Sequence, residues 1–501
     1  MVAVVKPSLV NTMARLAIVS ASALAVASCS TIPQGRVSQA ERLGIETRLL
    51  SDIKTLASEE YAGRRPGTVG ETKTLAFIQQ SLTQAGFVSG TNDPANPWNA
   101  PVSLVNSAST DSRVSIKSGK RTVVLPADGA FAHTSASLGL VEGGAMTFVG
   151  RLAENVPDEA VLGRVVVMVG EPGKSPPRRE ALFKKGAAAI ITVVEDSASV
   201  EQVRAFRSQD SFVLASDATD YLSVFASQDA MKTGLGEAQW DMLLTSADED
   251  GFAPVNLEAT ASIEARTKRR EVTSHNVIGR LAGTNPQAGS VFLMAHWDHF
   301  GECGEEGDED RLCNGAVDNA SGVAVMLELA DRLAAAGPHD RDIYVMGTTA
   351  EEWGLLGAKA FVQNPAVALD RIAAVLNYDT VAVAPQGSDF VFVGEGATPL
   401  DGIVLDTLAD QKRTLGNQVM AQQFIRRQDS WAFLEADVPA VVVSTNLGSQ
   451  VSLDSFINQR YHQASDDVDS IELGGAVDDV ILNQLLLKRL ASTTEYLASG
   501  E

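Results

Sequence analysis

Seven side chains in this sequence have the types and spacing that metal-assisted hydrolysis needs. The run "VFLMAHWDHFG" (291–301) breaks into His296 and Asp298; "GAVDNASG" offers Asp318; "TTAEEWG" offers Glu351 and Glu352; "NYDT" offers Asp379; "RYHQASDD" offers His462. Histidine is scarce, with six in 501 residues, so a His-x-Asp-x-x-His cluster where an apolar run ends is informative. Singly, each residue has an ordinary reading. An aspartate after a strand is often a helix cap, paired glutamates commonly open a solvated helix, and a lone loop histidine is usually inert.

Together they pose a charge problem. Three carboxylates with two neutral imidazoles would place three negative charges in one crevice and drive pKa values up unless a cation compensates. One divalent ion leaves one negative charge. Two leave one positive charge that a hydroxide neutralises, and co-catalytic ions sit about 3.5–4 Å apart in hydrolases of this kind. Mixed imidazole and carboxylate donors suit zinc, or cobalt or manganese, better than calcium, which takes oxygen alone.

The elements that must position these groups follow from periodicity. From Asn276 onward, apolar runs ("VFLMA", "DIYVMGTTA", "IAAVLNY", "FVFVG", "PAVVVS") alternate with helical patterns ("SGVAVMLELADRLAAAG", "LLGAKAFVQN", "LDGIVLDTLADQK", "ILNQLLLKRLASTTEYLA"). The expected fold class is therefore α/β, a mostly parallel mixed sheet with helices on both faces. Ligands gather beyond the carboxyl ends of such strands, where all seven residues fall.

Residues 38–60 and "TKTLAFIQQSLTQAGF" read as helices, followed by an Asn/Pro loop and short strands such as "RTVVLP". Residues 126–255 change character. "AMTFVG", "GRVVVMVG", the helix "RREALFKKGA", "AAIITVVED" and "SFVLAS", then an expected helix over "TDYLSVFAS", make a small β-rich α/β insert with no second His/carboxylate cluster.

Charge and cysteine usage bound the partners. A net charge of −23 weighs against nucleic acid and anionic membrane surfaces. Residues 1–28 read as an export signal, with Lys6 and Arg15 before "LAIVSASALAVAS", a stretch too short for an ordinary span. "VASC" resembles a bacterial lipobox, which implies lipidation of Cys29 and a polar leader over 29–37. An ordinary cleaved signal is the next reading and a retained anchor the last. Ser30 favours the periplasmic face of the outer membrane, with secretion as the alternative. Cys303 and Cys313 bracket an acidic loop in a chain bound for an oxidising compartment; a local disulfide is the favoured reading over two free thiols.

"AHWDHFG", "GAVDNASG", "TTAEEWGLLGA", "NYDTV" and "YHQASDD", in this order, resemble the signature blocks of the co-catalytic zinc aminopeptidases, the bacterial leucyl aminopeptidase-like family that also contains glutamate carboxypeptidases. "LASEEYAGRRPGT" is similar to that family's opening segment. The resemblance covers 38–125 and 256–501. It implies a zinc exopeptidase fold, two zinc ions, and peptide substrates cut at the N-terminus by a water lying between the ions. Residue by residue, it implies His296, Asp318, Glu352, Asp379 and His462 as metal ligands, with Asp318 shared, His296 and Asp379 on one ion, and Glu352 and His462 on the other. Asp298 matches the carboxylate that orients an imidazole, and Glu351 the general base. His299 has no assigned role beyond wall or loop packing, and His133, His275 and His339 fit no block. In "RRQDSWAF", Asp429 and the substrate-pocket Phe433 align, but Gln428 and Ser430 replace the usual neighbours, which leaves side-chain preference open. The insert resembles a protease-associated domain, with a generic α/β insert as the plain alternative. A carboxypeptidase or glutaminyl cyclase of the same fold, or a binding relative without catalysis, are the rival functions.

Overall fold

The computed structural model describes residues 37–152, 156–171, 173–304 and 307–498. The signal 1–28, Cys29 and almost all of the 29–37 leader lie outside those residues.

The strand Ser290–His296 is buried along its whole length, because it lies inside the sheet with helices over both faces. It runs parallel to Asp342–Thr348 on one side and Ile372–Asn377 on the other; Ala440–Ser444 continues the parallel set, and Val391–Val393 closes it antiparallel. Alternate side chains serve opposite faces. Val291, Leu293 and Ala295 meet the core beneath the helices Gln39–Leu56, Val69–Gln84, Gly322–Ala336 and Leu473–Leu490, whereas Phe292 and Met294 pack with Tyr344, Phe361 and Phe433. A strand needs apolar residues at every position to satisfy both faces, which is why these runs read as unbroken hydrophobic stretches.

Two strands are far longer than the sequence suggests. Asn99–Ser118 pairs along its length with residues 259–277 of Val255–Leu281, which also pairs with Asp342–Thr348 and with Leu138–Gly150 in the insert. One sheet thus runs through the whole molecule. The inward positions of the second strand include Leu257, Ala259, Ala261, Ile263 and Ala265, alternating with polar residues. Small alanines give a weak apolar signal, so the period of two is easily overlooked.

In the insert, Leu138–Gly150, Val165–Val169, Ala189–Val194 and Ser223–Ser227 form a parallel set, with Ala130–His133 antiparallel at the edge. The helix expected over 219–227 is instead the strand Ser223–Ser227. Val224 and Ala226 face the core and Phe225 the other side, so tertiary packing favours the extended form. Cys303 and Cys313 form a disulfide across the short antiparallel pair Gly301–Glu302 and Leu312–Cys313, with Cα atoms 5.8 Å apart.

Candidate metal centre

Register brings the chemistry together. His296 pairs with Thr348, and Met294 with Asn377, so the carboxyl ends of three parallel strands lie at one level. Chain continuing from them reaches Asp298, Glu351 and Asp379. Asp318 arrives from the turn Ala316–Ser321 that feeds the helix Gly322–Ala336; Gly315 enters that turn at φ +57°, and a Cβ there would meet the Asp318 carbonyl at 2.2 Å. The backbone is strained in several places here: Ala350, Thr380 and His462 hold left-handed φ of 53°, 55° and 59°, which costs an L-residue about 1–2 kcal/mol.

Among the described residues two metal-capable groups result, one of His296, Asp318 and Asp379, the other of His299, Asp318 and Glu352. His296 Nε2 lies 3.3 Å from Asp318 Oδ1 and 3.6 Å from Asp379 Oδ1; His462 Nε2 lies 3.5 Å from Asp318 Oδ2 and 3.2 Å from Glu352 Oε2. All five expected ligands converge, and Asp318 stands between the two halves with one oxygen toward each imidazole. His299 converges as well. Its Nδ1 sits 2.5 Å from Glu352 Oε1, and its ring is fully buried. The sequence reading left it as packing, because a second histidine three residues on carries no directional information until Glu352 is placed. His133, His275 and His339 lie away from the centre, against Ser109, Glu71 and the Leu333 carbonyl.

Asp298 is placed differently from the expected imidazole support. Its carboxylate is 3.9 Å from His296 Nδ1, which faces the Asp298 carbonyl at 3.2 Å, while Asp298 Oδ1 accepts from the Glu351 backbone N–H at 3.1 Å. Burial pushes the Asp298 carboxyl up to about 8 and raises that of Glu351 well above its usual range, with Asp379, Asp429 and Glu352 adding repulsion at Glu351. Burial opposes protonation of His462, but the carboxylates of Asp318 and Glu352 outweigh it and push the imidazole up to about 9.

The residues fit a cation. His462 Nε2, His299 Nε2 and Asp298 Oδ2 are buried without a hydrogen-bond partner, and a proton or a metal ion would satisfy the same imidazole lone pair. Nitrogen and carboxylate donors at these sites match zinc preference.

Three supports escaped the sequence reading. Arg64, fully buried, donates to the carbonyls of Leu56, Trp297, Asn314 and Gly315, stitching the two loops that carry His296 and Asp318. Burial pushes its pKa down to about 10, opposed by the nearby carboxylates, so it stays charged at neutral pH. Asp466 accepts from the N–H groups of Val317 and Asp318, at 3.1 and 2.9 Å, and pairs with Arg460 at 2.9 Å. Asn319 accepts from Gly322 and Thr380 N–H and donates to the Tyr378 carbonyl, locking the Asp318 turn to the Asp379 loop. The signals were in "GRRPG", "YHQASDD" and "VDNASG", inside motifs whose other members drew notice.

Beside the centre lies a pocket of about 120 Å³ with Glu351 on its wall and an apolar lining that includes Phe424, Leu453, Phe456 and Tyr461. Phe433 is not part of it; it is buried against Phe361 in the sheet's other core. Gln428 lines the pocket, accepts from Asn377 Nδ2 at 3.0 Å and holds Ser430, while Asp429 accepts from Thr348.

Residues 276–483 match the profile of peptidase family M28. The match contains every expected ligand and the general-base candidate. The probable lipoprotein aminopeptidase LpqL of Mycobacterium tuberculosis is 26% identical over 370 residues, 67% of this chain and 69% of that protein. Aminopeptidase YwaD of Bacillus subtilis is 36% identical over 118 residues, 23% of each chain. In fold, the aminopeptidase from Aneurinibacillus sp. strain AM-1 aligns with a TM-score of 0.53 at 18% identity, over 90% of this chain and 95% of that one. The M28 domain and its donor set make this protein a zinc-dependent metallopeptidase.

Proposed function

We propose that the protein is an exported aminopeptidase that removes N-terminal residues from peptides, with two zinc ions sharing Asp318. His296 and Asp379 complete one site; Glu352 and His462 complete the other, with His299 holding the second oxygen of Glu352. Cobalt or manganese would suit the same donors. The observation that carries the reading is the convergence of His296 and His462 on opposite oxygens of Asp318.

Zinc, when bound, polarises the scissile carbonyl and acidifies water. Glu351 stands on the pocket wall with His296, Asp318 and Asp379 and has no ligand role in this reading. Its carboxylate takes a proton from the attacking water as the oxygen bonds to the carbonyl carbon, then delivers it to the nitrogen as the C–N bond breaks. Asp298, accepting from the Glu351 N–H, fixes the backbone from which that carboxylate projects. The apolar pocket supports an uncharged N-terminal side chain.

The resemblance of "VASC" to a lipobox, and likeness to a protein named a lipoprotein, support anchoring through Cys29 and a periplasmic location. Among the described residues no helix is long and apolar enough to cross a membrane. We assign 38–125 and 256–501 to the peptidase unit and 126–255 to a protease-associated insert.

The test is product identity on a short peptide. The reading expects the first residue to be released, no cleavage of the N-acetylated peptide, and loss of turnover with a chelator that zinc reverses. Release of a C-terminal residue would overturn it.

A further inference from the structure

The apolar pocket takes one side of the scissile bond, and the remainder of a peptide must leave by another route. A cleft of about 850 Å³ lies on the other side of the centre. Glu351 and Tyr461 line the pocket, whereas their neighbours Glu352 and His462 line the cleft. Consecutive side chains diverging in this way make the metal centre the partition between two cavities. The far wall of the cleft belongs to the insert: Phe206 and the segment 209–211 face Phe300 and Trp353 across it.

The insert meets this rim through a packed cluster of Phe212 and Leu214 with Ala350, Leu356 and Trp353, and Arg65 bridges the two sides. The Arg65 guanidinium stands 5.0 Å from the ring centroids of both Phe212, from the insert, and Trp353, next to the metal ligand Glu352. It also pairs with Asp210 at 3.0 Å and donates to the Phe300 carbonyl at 2.9 Å, while Phe212 and Trp353 meet edge to face at 4.8 Å. Arg311 pairs with Glu302 at 3.0 Å on the same cleft. Each of the two arginines in the lining thus has an acidic partner, and what remains for recognition is the uncharged Gln209 and Ser211 and an aromatic surface that includes Phe206, 63% exposed.

We propose that this cleft binds the part of the substrate that follows the scissile bond, so that the insert selects peptides of several residues over single-residue amides. The volume is in the range of pockets that bury a drug-sized ligand, about 300–1,000 Å³, which suits a short extended segment. Phe206, Phe300 and Trp353 grip it with little regard for charge and favour apolar or aromatic residues at its second and third positions. The proposal rests on the aminopeptidase reading, because only an N-terminal residue seated in the apolar pocket sends the rest of the chain this way.

The test uses the zinc-loaded full chain with leucyl p-nitroanilide, a leucine-initiated pentapeptide carrying phenylalanine at position three, and the N-acetylated pentapeptide. The variants are Phe206→Ser, which removes an exposed aromatic wall, and Gln209→Trp, which fills the cleft; unchanged zinc content and melting temperature establish folding. The ratio of kcat/KM for pentapeptide over anilide should fall about fivefold in Phe206→Ser through KM, as expected for the loss of one aromatic contact, and about tenfold or more in Gln209→Trp. An unchanged or increased ratio in both variants overturns the proposal. Cleavage of the acetylated peptide, or release of its C-terminal residue by the parent protein, would instead sink the aminopeptidase reading, and the cleft assignment with it.

Discussion

The peptidase half and the insert use the same architecture to opposite ends. Both have parallel strands followed by acidic residues. In the insert, "VVED" ends the strand Ala189–Val194, and its Asp196 is exposed, caps the helix Ser197–Ser208 and accepts from the Ser199 N–H at 2.8 Å. In the peptidase half, "TTAEE" ends Asp342–Thr348, and its two glutamates turn inward to a buried centre where neither caps a helix. The backbone differs in step. Of the non-glycine residues with positive φ, Ala62, Arg64, Ala350, Leu355, Thr380 and His462 belong to segments that carry or support the centre, and none of the described ones falls in 126–255. An acidic residue after a strand therefore signals chemistry only where strain and burial hold it against other charged groups; elsewhere it is a cap.

The largest expected effect separates the two acids. Glu351→Gln should lower kcat by about 10²–10⁴-fold with zinc content unchanged, the usual worth of a positioned general base. Asp196→Asn, the matching change in the insert, should leave kcat and zinc alone and alter stability by well under about 1 kcal/mol. Steady-state kinetics beside metal analysis checks both, and near-equal effects would erase the contrast.

Next in size is Arg64→Ala. It removes a buried cation and four hydrogen bonds to loop carbonyls among several carboxylates. A loss of about 3–5 kcal/mol is expected, from breaking a buried charge arrangement on one side. Urea unfolding should report it, and added zinc should restore part of it by mass action, since the ions supply positive charge to the same centre.

The last effect also belongs to the insert and shows only as pH falls. Burial and the Arg207 charge push the His133 imidazole down to about 4, so it is neutral in the fold, in hydrogen-bond contact with Ser109 Oγ at 2.8 Å. The unfolded chain binds this proton from about pH 6.5, the folded one only from about pH 4, so stability is full above pH 6.5 and lost as pH falls through that window, by about 3 kcal/mol at most. His133→Asn should flatten unfolding midpoints between pH 6.5 and 4; an unaltered pH profile would contradict the assignment.

Much of this was legible beforehand, for physical reasons. Strands buried on both faces are continuous apolar runs, so the peptidase sheet and the level at which His296, Glu352 and Asp379 emerge could be read from hydrophobicity alone. Side-chain direction could not. Asp298 was expected against the His296 ring, yet its carboxylate takes the Glu351 N–H, a choice made by the turn. His299 gained significance only once Glu352 stood 2.5 Å away. Arg64 sits in a glycine-rich turn that reads as surface, and its burial follows from Gly63, where a Cβ would meet the Cys313 carbonyl at 2.6 Å and the Gly301 Cα at 2.7 Å. The strand Val255–Leu281 was obscured because alanine at inward positions carries little apolar weight.

The central claim is a pair of zinc ions sharing Asp318. Anomalous diffraction at the zinc edge, on crystals of the zinc-loaded chain, tests it most directly. Two peaks about 3.5–4 Å apart, one beside His296 and Asp379 and the other beside Glu352 and His462 with Asp318 between them, is the expected result. A single peak, or a second one that Asp318 does not reach, would contradict it.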